Sequence, residues 1–239
     1  MTRQTSEGWW VINGSLRHTK WIEENRRLDH DRYLIPTVTP LIAPGSIVID
    51  CGAHVGSHTV AYMEAVGPHG LIYAIEPHLE SFECLVKNCW VQQERLWPGN
   101  LEPHVKCINA ALGSKLHTGT VHLYNNPEDA GCNCVADEGE EVPVTTIDAL
   151  RLVNSNRISL IKIDCEGSEP DVIMGGSITI AWHRPSLVIE INQGALARQS
   201  HSAEEIRQML KSLGYRRVQW CPPEANWETT QCDIICFAS

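Results

Sequence analysis

The stretch Ile47-Val-Ile-Asp-Cys-Gly-Ala-His-Val-Gly-Ser-His-Thr59 constrains the fold of this 239-residue chain more than any other. A run of branched apolar residues reaches Asp50, turns through a segment bracketed by Gly52 and Gly56, and leads into a helix-like sequence. A strand this apolar needs cover on both faces, the condition of a strand inside a parallel sheet. A second apolar run, Leu71-Ile-Tyr-Ala-Ile75, ends in Glu76-Pro77. Strand, glycine turn, helix, and a second strand closed by a carboxylate describe a βαβ unit. Its first turn holds a small ligand, and its second strand offers an acceptor to a ribose diol.

The turn also says which ligand. A dinucleotide site asks for Gly-x-Gly-x-x-Gly, because the middle glycine lets the backbone approach a pyrophosphate. Here His54 stands between Gly52 and Gly56 and obstructs a phosphate. S-adenosylmethionine has no phosphate, and a turn with glycine only at its edges suits it. His54 is expected at positive φ, which His tolerates better than most residues. Two other readings stand beside this one: an NAD- or nucleotide-sugar-linked oxidoreductase, against which His54 weighs, and a non-catalytic cofactor-binding module.

The rest of the chain alternates strand and helix, the pattern of a parallel sheet. Asn13-Gly14 predicts a hairpin turn within Trp9–Ile22, and residues 29–42 a helix broken at Pro36 and Pro40. Strands are expected at 47–51, 71–75, 105–112, 120–124, 142–145, 158–163 and 186–191, with helices near 57–66, 79–92 and 146–153 and another after residue 167. Residues 125–141 read as a long acidic loop. Ser202 and Glu205 form a capping-box pattern opening a helix that Gly214 ends, and 215–221 with 232–237 reads as a C-terminal hairpin. Residues 1–43 are expected to form an extension packing on a single domain at 44–239.

Composition excludes several classes. A chain with 43% hydrophobic residues can bury a full core. A formal net charge of −10 argues against nucleic acid, since such binding relies on basic surface. The cluster Arg17, Lys20, Arg26 and Arg27 reads as a solvated face. No run approaches the roughly 20 apolar residues of a membrane span, and the first residues lack a signal-peptide core; the expectation is a cytoplasmic protein. Of ten cysteines, Cys51, Cys107, Cys165 and Cys236 sit in or beside apolar strands, where the residue acts as a small hydrophobe. Cys84 and Cys89 fall on one expected helix at a spacing that does not share a face well, and Cys132 with Cys134 lacks the usual zinc-knuckle spacing. Reduced structural thiols are expected throughout.

Taken in order, Val48–Gly56, Tyr73-Ala-Ile-Glu-Pro77, Val144-Thr-Thr-Ile-Asp148, Ile161-Lys-Ile-Asp-Cys-Glu-Gly-Ser-Glu169 and Pro185-Ser-Leu-Val-Ile-Glu190 resemble the FkbM family of S-adenosylmethionine-dependent methyltransferases. The Lys-Ile-Asp-x-Glu-Gly-x-Glu block is the most specific part, and the likeness spans roughly residues 44–192. It implies an α/β, Rossmann-like class I methyltransferase fold with a mostly parallel seven-stranded sheet and an antiparallel C-terminal strand. It also implies O-methylation of a hydroxyl, often on a sugar or natural product. His54 departs from the family's usual Asn.

The resemblance assigns Asp50, Gly52, Ala53, His54 and Gly56 to the methionine portion of the cofactor and Glu76 to the ribose hydroxyls. Pro77 and His78 flank the adenine, with Asn109, Ala110 and Ala111 at its edge. Asp164 and Glu166 face the transferred methyl, with Glu166 as the general base, Asp164 orienting it or the cofactor's ammonium, and His54 as a second candidate base. A second option places Mg²⁺ on Asp164, Glu190 and Asn192, three oxygen donors at neighbouring strand ends. The acceptor is expected to be a small molecule or sugar held by residues 9–33, 125–137 and 193–202. Those segments carry Trp9, Trp10, His18, Trp21, His30, Arg32, Tyr33 and His201.

Overall fold

The structure, a computed structural model, describes residues 2–12, 17–26, 28, 33–100, 102, 104–114, 119–125 and 133–238, with the backbone alone at 17–19. At the N-terminus β1 (Thr2–Gln4) pairs antiparallel with β2 (Trp10–Ile12), and helices α1 (Arg17–Asn25) and α2 (Leu34–Val38) follow. This corrects the hairpin expected over Trp9–Ile22: β2 pairs backward onto β1, and the second arm is helical. Asn13-Gly14 itself lies outside the described residues. The period-2 alternation that a second strand would need is absent from Trp21-Ile-Glu-Glu-Asn25. Ile22 instead packs with Trp9, Val11, Val55, Val60 and Cys84.

The next elements match the expected bounds: β3 (Ile47–Cys51), α3 (Ser57–Val66) and β4 (Leu71–Ile75). Helix α4 (Leu79–Leu96) runs one turn beyond its expected end and stops before Pro98, and β5 (Val105–Ile108) follows. The strand expected over 105–112 is split. Asn109 donates from its side-chain amide to the carbonyls of Glu76 and Pro77 at 2.9 and 2.8 Å, pulling the chain over the end of β4. Beyond it, β6 (Ala111–Leu112) joins a second sheet with β7 (Thr120–Tyr124), β8 (Cys134–Ala136) and β9 (Glu140–Thr145), in the order β6-β9-β7-β8. Part of the expected 125–141 loop is therefore strand. The helix expected at 146–153 is a single 3-10 turn, Asp148–Leu150, closed by Arg151 at φ 55°.

The remaining elements are β10 (Ile158–Ile163), α5 (Glu169–Gly175), α6 (Ser177–His183), β11 (Ser186–Asn192), α7 (Gln193–Arg198), α8 (Ala203–Ser212), β12 (Tyr215–Cys221) and β13 (Gln231–Ala238). The main sheet has the order β12-β13-β11-β10-β3-β4-β5. β13 runs antiparallel to both neighbours, and the pairs among β11, β10, β3, β4 and β5 are parallel. This is the seven-stranded α/β architecture expected from the sequence.

Strand pleating sends successive side chains to opposite faces. Val48 and Leu160 join α3 and α4 in one core, while Ile49 and Ile161 join α5, α6, α7 and α8 in the other. Each fully buried Val, Leu or Ile contributes roughly 1.5–3 kcal/mol, so the two-sided burial of β3 and β10 anchors the molecule. No described helix is long and apolar enough to cross a membrane.

Candidate functional site

The connections from β3 lead toward β4 and β5 on one side, while β10 leads toward β11 on the other, so the order of the sheet reverses between β3 and β10. Open α/β sheets bind ligands at such a reversal, beyond the carboxyl ends of the strands. A cavity of about 560 Å³ opens there, within the range of small-molecule sites. Its floor is the turn after β3, where the N–H groups of Gly52 and Ala53 both donate to the Ile75 carbonyl at 3.0 Å. Gly52 has φ 76°, and a Cβ there would run into the carbonyl oxygen of Asp164. Only glycine lets β3 and β10 close on each other at this point. His54 sits at φ 51°, in the left-handed region expected for it.

The carboxylate of Glu76 is buried at the end of β4 and pinned from two directions. Its Oε2 accepts from the His54 N–H and its Oε1 from the His78 N–H, each at 2.9 Å. Burial pushes this carboxyl up to about 7, opposed by the two backbone donors. The side chain lines the cavity together with Gly52, Ala53, His54, Pro77, Ala110 and Ala111. Four other residues expected at the site stand behind its wall. Asp50 is fully buried, with Oδ2 accepting from the Thr59 hydroxyl at 2.6 Å and Oδ1 lacking a hydrogen bond. His78 joins its Nδ1 to Ser81 at 2.9 Å, Asn109 fastens the β4 end, and Gly56 (φ 96°) precedes α3.

The opposite end of the cavity is acidic. Asp164, Glu166 and Glu190 line it, and their nearest oxygens gather within 4.8 Å of one another. Lys162 donates to Asp164 Oδ2 at 2.8 Å. Glu166 occupies φ 51°, a strained backbone for a residue other than glycine. The Arg198 guanidinium lies 4.0 Å from its Oε2. Glu190 accepts from Gln231 at 2.8 Å. Burial, then the nearby Asp164, pushes its carboxyl up to about 9.

The last acid of the Lys-Ile-Asp-x-Glu-Gly-x-Glu block, Glu169, holds the loop: its Oε1 accepts from the N–H groups of Cys165 and Gly167 at 2.8 and 3.2 Å. The Mg²⁺ set of Asp164, Glu190 and Asn192 is corrected. Asn192 is committed elsewhere, its side-chain oxygen accepting from the Ala195 N–H at 3.1 Å to cap α7.

Sequence reasoning missed Gln231 and Asp233, which line the acidic end from β13. Antiparallel pairing sets Asp233 opposite Glu190 and Gln231 opposite Asn192. Knowing that the C-terminal hairpin closes on β11 would have found them.

Of the acceptor segments, Trp21 and residues Asn133–Val135 reach the cavity. Trp9 and Trp10 instead lie under Arg95 and Lys87, with the charges 4.0 and 4.2 Å from the ring centres, so they fasten the extension to α4. Tyr33 is exposed. No residue of 193–202 lines the cavity among those described; Gln199 braces β8 by donating to the Val135 carbonyl at 2.5 Å. The His18 side chain, His30, Arg32 and Cys132 lie outside the described residues.

A model of the methyltransferase FkbM domain matches residues 50–217. The crystal structure of methyltransferase FkbM from Methylobacillus flagellatus KT superposes with a TM-score of 0.51 at 17% identity, covering 82% of this chain and 44% of that one. This chain therefore spans less than half the length of that protein. A crystal structure of a SAM-dependent methyltransferase from Aquifex aeolicus aligns over 93% of this chain and 97% of its own, with a TM-score of 0.49 at 12% identity. No curated protein sequence matches the chain.

Proposed function

The chain belongs to the FkbM family of methyltransferases, and from that membership we propose that it moves the methyl group of S-adenosylmethionine onto a hydroxyl oxygen of a small-molecule or sugar acceptor. The observation that carries the cofactor reading is Glu76. A carboxylate held by two backbone N–H groups at the end of β4, facing a cavity, is arranged to accept from a ribose diol. The glycine turn at Gly52, with His54 above it, suits the phosphate-free sulfonium and amino acid end of the nucleoside better than a pyrophosphate. In this reading Gly52, Ala53 and His54 hold the methionine end, and Pro77, Ala110 and Ala111 flank the adenine.

The cofactor supplies a methyl already activated on its sulfonium. What the protein adds is alignment, of order 7–11 kcal/mol at best, and a base, typically 10²–10⁴-fold. The acceptor oxygen forms a bond to the methyl carbon as the carbon–sulfur bond breaks, its electron pair staying on sulfur, and the hydroxyl proton goes to a base. Glu166, on the cavity wall, is the first candidate for that base and His54 the second. The net charge of −10 supports a small acceptor over a nucleic acid, and the described cysteines, none of them in a disulfide, suit a reducing, cytoplasmic setting.

Isothermal titration with S-adenosylhomocysteine beside NAD tests the reading. Micromolar binding of the first and none of the second is the expected outcome. Binding of NAD revives the oxidoreductase, and binding of neither leaves a non-catalytic module.

A further inference from the structure

The opposite edge of the main sheet holds a cavity of its own, of about 460 Å³, a volume within the range of small-molecule sites. It lies where Arg157 leads into β10 and Ser186 opens β11, about 20 Å along β10 from the first cavity. The two cavities share no lining residue among those described. Leu41, Ile42 and Phe237 give the second one apolar walls, and Arg157 and Arg184 bring guanidinium groups to it. No carboxylate lines it among the described residues.

The charge around this edge is segregated by sequence. The segments that run to it, 37–49, 149–163, 172–189 and 212–223, contain no Asp or Glu, although the chain has 29 of them against 19 Lys and Arg. They supply instead the exposed Arg151, Arg157, Arg184, Arg216 and Arg217. Elsewhere exposed arginines sit beside carboxylates, Arg198 beside Glu166 and Arg207 beside Glu204. Unopposed like charges sum, so this edge is a positive pole on a molecule of net charge −10.

The walls are held in place. The Arg157 carbonyl accepts from the Ile47 N–H at 2.9 Å. Arg217 lies over the Phe237 ring, its guanidinium carbon 4.1 Å from the ring centre. The Arg184 guanidinium packs against Gly214, where a Cβ would stand 3.4 Å from its nitrogens. A buried hydroxyl also faces the space: Ser159 lines the cavity and shares a 2.6 Å hydrogen bond with Ser46. When Ser46 is the donor, the Ser159 O–H is left to serve an anion in the cavity.

We propose that this cavity is a second ligand site, for a small organic anion that offers a carboxylate or phosphate to Arg157 and Arg184 and lays an apolar body on Leu41, Ile42 and Phe237. The guanidinium fork matches both oxyanions in geometry and charge. A solvated basic face needs no recess, and arginines that line a recess suit a small ligand better than a membrane or a nucleic acid. The site stands apart from the cofactor reading, since it draws on none of the same residues.

Calorimetry of the full chain with naphthoate, naphthalenemethanol and inorganic phosphate tests it. Naphthoate is expected to bind with a submillimolar Kd. The alcohol, which lacks the charge, and phosphate, which lacks the body, should each bind about tenfold more weakly or worse. Arg157→Gln and Arg184→Gln should each weaken naphthoate about tenfold, whereas Arg151→Gln, outside the cavity, leaves it unchanged. Saturating S-adenosylhomocysteine should leave it unchanged as well. No binding of naphthoate at millimolar concentration overturns the proposal, and so does equal affinity for the alcohol. Naphthoate that ignores both arginine variants, or that S-adenosylhomocysteine displaces, occupies another place and overturns it too. Arg184 closes α6 at φ 49°; should its variant not fold, Arg157→Gln decides alone. Sedimentation with phosphatidylglycerol vesicles, in a protein that does not bind naphthoate, assigns the face to a lipid surface and overturns the small-ligand site.

Discussion

Glu76 shows how a single carboxylate joins two loops at the edge of the cavity. Its two backbone donors come from the turn after β3 and from the start of α4, so losing it loosens both loops and, on the proposed cofactor reading, removes the ribose partner. Glu76→Ala is expected to weaken S-adenosylhomocysteine binding by about 1.5–3 kcal/mol, the range for a hydrogen bond to a charged group; unchanged affinity in calorimetry removes Glu76 from the ribose site. Glu76 and His54 were legible because each stands next to a strong local signal, a strand end or a glycine turn. Gln231 and Asp233 were not, because they reach the cavity only through pairing across β11 and β13. Asn192 misled in the opposite way: its type suits a cation, but its backbone position makes it a helix cap.

At the scale of elements, legibility followed how far a segment's own sequence decides its state. β3, α3 and β4 read true because apolar strands and glycine turns leave few alternatives. Val105–Leu112 read as one strand because its hydrophobicity is continuous, whereas the break at Asn109 is made by carbonyls more than thirty residues away in sequence. Of the second sheet, β7 and most of β9 were legible as strands, but β8 was not, since it gains its partners only when 133–136 folds back on β7. Helix α8 is the converse case. Ser202 caps it, accepting from the Glu205 N–H at 3.2 Å, as the capping box predicted. Ser202→Ala is expected to cost about 1 kcal/mol, read as a lower urea midpoint with an unchanged slope; an unaltered midpoint would show that packing on α5 and β12 holds the helix without its cap.

Over the whole molecule, the cleft is where the fold stores electrostatic cost. Strand ends from β4, β10 and β11 converge there and bring carboxyls together in a buried space. Burial pushes Glu76 and Glu169 up to about 7 and Glu190 up to about 9. In an unfolded chain each titrates near about 4.3. Below that pH both states are protonated and nothing is lost. Above it the unfolded chain ionises freely while the folded one resists, so stability is withdrawn as pH rises, through about 7 for two groups and about 9 for the third.

His201 works in the same direction. Burial disfavours its charge, but hydrogen bonds to Glu205 and Asp171 raise its pKa, so its stabilisation fades as pH rises. Asp164, with its depressed pKa, gives up stability only in stronger acid and does not offset the trend above about pH 5. A tenfold difference in proton affinity between the folded and unfolded chain is worth about 1.4 kcal/mol. The unfolding free energy without cofactor is therefore expected to drop by several kcal/mol between pH 5 and 9, most steeply below 7. Urea denaturation across that range measures it, and a flat or rising profile refutes it. Glu190→Gln separates the contributions: the fall between pH 7 and 8 should shrink while the fall below 7 persists more gently, because Glu190 is the carboxyl pushed furthest up; the fall nearer pH 9 should remain, since the buried thiols of Cys51, Cys84 and Cys236 also resist ionisation there.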